Sequence, residues 1–303
     1  MTAYLVYDVF TDTPFGGNPL AVIPDAAALP EPLLQQIARE FNFSETVFVY
    51  PPADPAHTAR MRIFTPTMEV PFAGHPVIGT ALALHDLGRG DDLMLELGVG
   101  PIPCTIRAGL ARFTTRHPLT VVAHPDAGHV AACLGLAPGQ VRTDRHLPVL
   151  AGVGLDFVLV ELNGHAALSA CQPVGDAFRK GAADHPSTLD FAIFAYVRGG
   201  AAVSARMFAP LDNIPEDPAT GSACGALTAF LAQLEGMPLT LIIAQGNDMG
   251  RPSTIHAEAE VQGGLVRAVH IAGRARRMME GRLTFPHAAA LYPLQHRVAP
   301  GER

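Results

Sequence analysis

The chain has 303 residues, 49% of them apolar and only 16% charged, which is enough for two hydrophobic cores at roughly 150 residues per domain. A formal charge of −7 gives no electrostatic reason to expect nucleic acid or an anionic membrane as partner, and leaves a soluble enzyme or a small-molecule binding protein. No basic stretch leads into a long apolar run, and no apolar run is long enough to span a bilayer, so the expectation is a cytoplasmic protein without a membrane anchor.

In chain order, Leu5 to Phe10 and Pro19 to Ile23 read as strands around Pro14-Phe-Gly-Gly-Asn-Pro19, a segment suited to tight turns, so a hairpin opens the protein. Leu33 to Phe41 carries helical apolar spacing, and Thr46 to Tyr50 is a compact β-branched and aromatic strand with Glu45 at its junction. Val77 to Leu87 reads as a helix stopped by Gly88, followed by strands at Leu93 to Leu97, Ile102 to Ile106 and Ala111 to Thr115. The second half opens near Thr120. It has strands at Phe157 to Glu161 and Phe191 to Val197, then a helix at Ala223 to Leu234. Further strands follow at Leu239 to Ala244, Ile255 to Val261, Leu265 to Ile271 and Arg282 to Phe285. The four cysteines, Cys104, Cys133, Cys171 and Cys224, are far apart with no C-x-x-C, and read as small core residues rather than a disulfide framework or zinc site.

Within this order one pattern occurs twice, about half a chain apart. Arg62-Ile-Phe-Thr-Pro66 leads to Pro71-Phe-Ala-Gly-His-Pro76 and an apolar helix; Arg206-Met-Phe-Ala-Pro210 leads to Glu216-Asp-Pro-Ala-Thr-Gly-Ser222 and another. Both helices are apolar on nearly every face and rich in small residues, whereas a surface helix shows a polar stripe. Such a helix is buried by wrapping a sheet about it. The expected architecture is therefore α+β, with two pseudo-symmetric lobes, each a curved, mostly antiparallel sheet around a central apolar helix. The helix starts face a cleft between the lobes. The first few N–H groups of a helix lack internal partners and carry partial positive charge, so Gly74 and Gly221 can hold a carboxylate between them, with Ser222 donating; the other reading is two ordinary glycine turns.

Three titratable residues lie near those starts. His75 titrates near neutrality, Asp217 is carried toward the same cleft by the repeat, and Glu45 precedes an apolar strand that would raise its pKa by desolvation. Local sequence alone favours blander roles: a strand-edge carboxylate in water for Glu45, a structural histidine, and a helix-entry aspartate.

The ordered set Asp8-Val-Phe-Thr11, Pro14-Phe-Gly-Gly-Asn-Pro19, Ser44-Glu-Thr-Val-Phe48, Phe64-Thr-Pro66, Phe72-Ala-Gly-His-Pro76 and Glu216-Asp-Pro-Ala-Thr-Gly-Ser-Ala223 resembles the phenazine-biosynthesis PhzF-like isomerase family. The resemblance implies a diaminopimelate-epimerase-like fold, with an N-terminal lobe at 1–117 to which 286–303 returns and a C-terminal lobe at 118–285. It also implies isomerisation of a dihydro-hydroxyanthranilate-type or related small carboxylate without metal or organic cofactor, and a homodimer. Carried over, Glu45 shuttles a proton between ring carbons, and His75 and Asp217 surround the polar groups of the substrate. Gly74, Gly221 and Ser222 match the carboxylate-binding helix starts, and Asn18 joins them in the substrate-binding set. Cofactor-independent racemases of the same fold are similar in placing a cysteine at each helix start. This chain has Ala73 and Thr220 at about those places, and Cys224 falls inside the helix, so a two-thiol racemase is disfavoured. An epimerase or racemase of the same fold using one thiol or none, and a non-catalytic small-anion binder, are the competing readings. No phosphate loop, H-E-x-x-H, G-x-S-x-G or dinucleotide-binding glycine motif is present.

Overall fold

A computed structural model of the protein describes residues 1–284. Its first half holds strands β1 (Thr2–Val9), β2 (Asn18–Ile23), β3 (Glu45–Tyr50), β4 (Ala59–Phe64), β5 (Glu69–Val70), β6 (Asp92–Leu97), β7 (Gly100–Arg107) and β8 (Leu110–Thr115), with helices α1 (Glu31–Phe41) and α2 (Gly74–Asp86). The second half holds β9 (Thr120–Ala123), β10 (Val149–Gly152), β11 (Asp156–Glu161), β12 (Ile193–Gly199), β13 (Ala202–Ala209) and β14 (Ile214–Asp217). These are followed by β15 (Leu239–Gln245), β16 (Ser253–Gln262), β17 (Leu265–Gly273) and β18 (Ala275–Leu283). Its helices are α3 (Ala127–Cys133), α4 (His165–Ala170), α5 (Gly175–Asp184) and α6 (Gly221–Glu235).

The strands join one continuous sheet. In the first half the order is β18-β1-β2-β3-β4-β6-β7-β8. In the second it is β17-β16-β15-β13-β12-β11-β10-β9. An antiparallel β8–β17 pair is the seam between them. Parallel neighbours fall at matching places, β2–β3 and β4–β6 in one half and β11–β12 and β13–β15 in the other, and every other pairing is antiparallel. Each half also lends a strand to the other: β9, which follows β8, edges the second half beside β10, and β18, which follows β17, edges the first beside β1.

The apolar helices lie where their composition requires. Ile78 and Leu82 of α2 are 1% and 5% exposed, and Leu227 and Phe230 of α6 are 0% and 9%. The α2 helix packs against β1, β2, β3, β7, β8 and β18; α6 packs against β10, β11, β15, β16 and β17. A helix with no polar stripe gains most by removing its whole circumference from water, and a curved sheet is the element that permits it. One apolar cluster runs through both halves. A second surface of the sheet is covered by α1, and another by α3, α4 and α5.

The repeated arginine has a structural use in each half. Arg62 on β4 grips Glu69 on β5 through paired hydrogen bonds of 2.7 and 2.6 Å, and Arg206 on β13 grips Glu216 on β14 through two of 2.8 Å. The arginines thereby fasten the short return strands that precede α2 and α6.

Both central helices begin three or two residues earlier than their apolar pattern predicts, at Gly74 and Gly221. Gly88, with φ of 79°, follows α2 as the left-handed residue expected of it. Of the strand predicted at Arg282 to Phe285, Arg282 and Leu283 are the tail of β18, which starts at Ala275, and Phe285 lies outside the described residues. The return of 286–303 to the first lobe lies outside the described residues. Among the described residues no helix is long and apolar enough to cross a membrane.

Candidate active site

The starts of α2 and α6 meet. A Cβ on Gly74 would stand 2.8 Å from the Ser222 nitrogen and 2.9 Å from the Gly221 carbonyl carbon, so only glycine permits this approach. Neither start has a side-chain cap. Ala73 at the head of α2 has no oxygen to offer, and Thr220 at the head of α6 donates its hydroxyl to Asp217 Oδ2 at 2.6 Å. Among the described residues no protein acceptor faces the N–H groups of Gly74, His75, Gly221 or Ser222. Two positive helix ends pressed together repel one another, and an anion between them relieves both.

The carboxyl groups come from the edges of this junction. Strands β2 and β3 are parallel, with Leu20 opposite Glu45, so Asn18, Ser44 and Glu45 collect at one end of the sheet. Glu45 shares its strand face with Val47 and Val49, which belong to the main core, and therefore points to the α2 side. Asp217, 4% exposed, ends β14. Its Oδ1 accepts from Asn18 Nδ2 at 2.9 Å and Ser44 Oγ at 2.7 Å. Gln245 at the end of β15 holds this arrangement from behind. Its Nε2 donates to the Asp217 backbone oxygen at 2.8 Å and to Thr220 Oγ1 at 3.0 Å, and its Oε1 accepts the Thr220 N–H at 3.1 Å.

Burial raises the pKa of both carboxyls. For Asp217 it is opposed by the three donors Thr220, Ser44 and Asn18, which favour the ionised form. For Glu45 no donor opposes it; desolvation, then the charge of Asp217, pushes its pKa well above the usual carboxyl range. Two such groups cannot both ionise cheaply, and the partners bias the pair: the donors favour the charge on Asp217 and the proton on Glu45. Glu45 Oε2 is buried with no hydrogen-bond partner among the described residues. It lies 3.4 Å from His75 Nδ1. His75 is 3% exposed, and burial lowers its pKa from 6.5 to about 3 despite the opposing effect of the Pro19 backbone carbonyl, which accepts from the imidazole. The imidazole is therefore neutral, and the contact is not an ion pair. The local reading of Glu45 as a strand-edge carboxylate in water does not describe this environment, because the side chain is only 15% exposed.

Glu45, His75, Asp217, Gly74, Gly221 and Ser222 line one cleft, with Phe72, Leu155, Phe157, Met207 and Ile214 among its apolar walls. No lysine or arginine of the described residues lines it. Asn18 stands behind Asp217, fully buried, and is absent from the lining; its Nδ2 also donates to the Ala219 oxygen at 3.0 Å. Cys224 is buried inside α6, where desolvation raises its thiol pKa. No group of three His, Cys, Asp or Glu among the described residues is placed to share a metal ion. Sequence reasoning did not single out Ser44, Thr220 or Gln245 for this network. Ser44 was visible beside Glu45, but Gln245 meets Thr220 only because β15 ends beside the start of α6, a pairing with no local signature.

The family model described as phenazine biosynthesis-like protein (PhzC-PhzF) matches residues 7–281. An uncharacterized isomerase of Mesorhizobium japonicum is 40% identical over 92% of this chain and 98% of its own length. A trans-2,3-dihydro-3-hydroxyanthranilate isomerase of Pseudomonas aeruginosa is 36% identical over 93% of this chain and 99% of its own. A crystal structure of a Bacillus anthracis phenazine biosynthesis protein of the PhzF family shares the fold with a TM-score of 0.82, at 24% identity over 94% of this chain and 99% of that one. With the family model, both relatives and the fold agreeing over almost the whole described chain, this protein belongs to the phenazine biosynthesis-like PhzC-PhzF family of isomerases.

Proposed function

We propose that this chain is a cofactor-independent isomerase that moves a proton within one small carboxylate substrate, of the dihydro-hydroxyanthranilate type or a relative of it. The observation that carries the reading is the buried Glu45 carboxyl, poised as an acid with one oxygen unpartnered, beside an Asp217 held ionised by three donors. The substrate carboxylate rests on the two uncapped helix starts, and its apolar body lies against Phe72 and Phe157. Glu45 delivers its proton to one ring carbon and takes up the proton that leaves the carbon bearing the hydroxyl, which restores the glutamic acid and leaves an enol that tautomerises to the ketone. Ionised Asp217 and neutral His75 hold the polar substituents. A carboxyl with its pKa raised toward working pH can act in both directions, and the apolar walls limit exchange with water.

The one-thiol epimerase gains no support, since Cys224 is 0% exposed within α6 and burial disfavours its thiolate. The anion-binder reading predicts binding without turnover. The test is to incubate trans-2,3-dihydro-3-hydroxyanthranilate with the enzyme in deuterated water and follow C–H exchange and isomerisation by NMR. Exchange that Glu45→Gln abolishes and Cys224→Ala retains supports the proposal; equal rates for Glu45→Gln and wild type defeat it. The reading includes a cytoplasmic homodimer, which sedimentation and cell fractionation check.

A further inference from the structure

The two halves differ in one connection. Strands β6 and β15 are counterparts, each running parallel beside the strand that carries the repeated arginine. From β6 the chain turns into β7 through Gly98 and Val99 alone, whereas from β15 it reaches β16 through the longer segment Gly246 to Pro252.

That longer segment crosses to the first half. Arg251 donates through Nε to the Gly17 oxygen at 2.7 Å, and one of its terminal nitrogens reaches both the Gly16 oxygen at 2.7 Å and Asp8 Oδ1 at 2.6 Å. Asp8 is buried, and its other oxygen accepts the Phe15 N–H at 2.9 Å. The Gly17 N–H donates back to the Pro252 oxygen at 3.1 Å, and a Cβ on Gly16 would stand 2.9 Å from that same oxygen, so the two loops meet backbone to backbone. The glycine pair is therefore held at both carbonyls and one N–H.

The next residue is Asn18, whose buried Nδ2 donates to Asp217 Oδ1 and to the Ala219 oxygen. Asp217 is thus gripped from the first half by a side chain whose backbone is fixed from the second. Ser253, which follows the same segment, donates its hydroxyl to the Pro218 oxygen at 2.9 Å and steadies the other partner. A hydrogen bond weakens steeply outside its distance range, so a shift of Gly17 by about 1 Å withdraws Asn18 from the carboxyl. Arg251 itself does not line the cleft.

We infer that Arg251 is a positioning residue for the proton transfer: by fixing the Gly16-Gly17 turn it sets Asn18 against Asp217 across the boundary between the halves. Its effect on turnover rests on the isomerase reading, and its effect on Asp217 does not.

The test follows the Asp217 carboxyl by carbon NMR through a pH titration of wild type, Asn18→Ala, Arg251→Ala, Arg251→Lys and the double variant Asn18→Ala with Arg251→Lys. Arg251→Lys keeps the positive charge but has no Nε donor for Gly17. The titratable groups around Asp217 stay the same throughout: Glu45 of β3, Glu216 of β14, Cys224 of α6, and His75 of α2, which meets Asn18 Nδ2 at 3.4 Å. Loss of one donor should raise the Asp217 titration midpoint by about one pH unit in Asn18→Ala and in both Arg251 variants, and the double variant should match Asn18→Ala. In the Arg251 variants kcat should fall about tenfold, with KM changed less than about threefold. Should Arg251→Ala not fold, Arg251→Lys decides alone. A wild-type midpoint or kcat in the Arg251 variants, or a shift from Arg251→Lys that persists without Asn18, overturns the inference. The expected midpoints with no turnover by wild type defeat the isomerase reading and leave the tie between Arg251 and Asp217 standing.

Discussion

At the scale of single residues, the site depends on opposite protonation preferences within one buried group. His75 is neutral when folded, with its pKa near 3 instead of 6.5, so below pH 6.5 the unfolded chain binds a proton that the folded chain refuses. That contribution to stability is present above pH 6.5 and lost as pH falls, at about 1.4 kcal/mol per pH unit. Glu45 acts in the other sense. Its folded pKa lies well above 4.5, so as pH rises beyond 4.5 the folded chain retains a proton that the unfolded chain has released, and stability falls. Between pH 4.5 and 6.5 the two slopes oppose one another. In that window the stability of Glu45→Gln should rise with pH more steeply than wild type, and that of His75→Gln less steeply, the latter by about 1.4 kcal/mol per unit. Urea unfolding across the window reads both, and identical slopes in all three proteins would remove the assigned protonation states. For activity, Glu45→Gln should lower isomerisation about a hundred- to ten-thousandfold, the range of general acid–base catalysis, as measured by single-turnover NMR.

At the scale of elements, the two copies of the arginine motif carry the same bond in different surroundings. Arg62 is 24% exposed, and its partners Glu31 and Glu69 are 69% and 42% exposed. Arg206 is 8% exposed, and besides Glu216 it donates to the backbone oxygens of Leu168, Ser169 and Cys171. Removing a guanidinium from the first pair should cost no more than about 1 kcal/mol. Removing it from the second strands Glu216 and three carbonyls, and should cost about 3–5 kcal/mol. Denaturant titration of Arg62→Ala and Arg206→Ala checks the contrast, and equal losses would show that the buried network is not specially stabilising. The helix starts give a second contrast. In Gly74→Ala the new methyl meets backbone atoms of Gly221 and Ser222, whereas in Gly221→Ala it meets the edge of Phe10 at 3.0 Å. A ring can shift and a helix start cannot, so Gly74→Ala should lose more carboxylate affinity by calorimetry, with roughly 1–3 kcal/mol of strain.

Element identity was legible where composition was extreme. The α2 and α6 helices stood out because they lack a polar face. By contrast β13, Ala-Val-Ser-Ala-Arg-Met-Phe-Ala, mixes small and charged residues, and α3, α4 and α5 are too short for a clear periodic signal. The glycines, His75, Asp217 and Glu45 could be singled out because each sits in a motif. The roles of Ser44, Thr220 and Gln245 could not, because each depends on which strand end meets which helix start.

At the scale of the whole molecule, the duplicated sequence implies two lobes, but the sheet does not divide where the repeat does. Strand β1 has β18 on one side, and β8 has β17 on the other, so both outer limits of the first half are completed by residues more than half a chain away. The apolar cluster likewise passes without interruption from Val77 and Phe113 to Leu227 and Val269. No periodicity or composition announces such an exchange, since each strand looks the same whichever neighbour it finds. The exchange has a mechanical consequence: the site is shared between elements that cannot be separated without exposing strand edges and core. Residues 1–117 produced alone would leave β1 and β8 each with an unpaired edge and α2 without its β17 and β18 contacts. That fragment should therefore give a poorly dispersed amide spectrum, and mixing it with residues 118–303 should restore dispersion and carboxylate binding together. A well-dispersed spectrum from 1–117 by itself would show that the lobes are independent units, and that the crossed strands only decorate them.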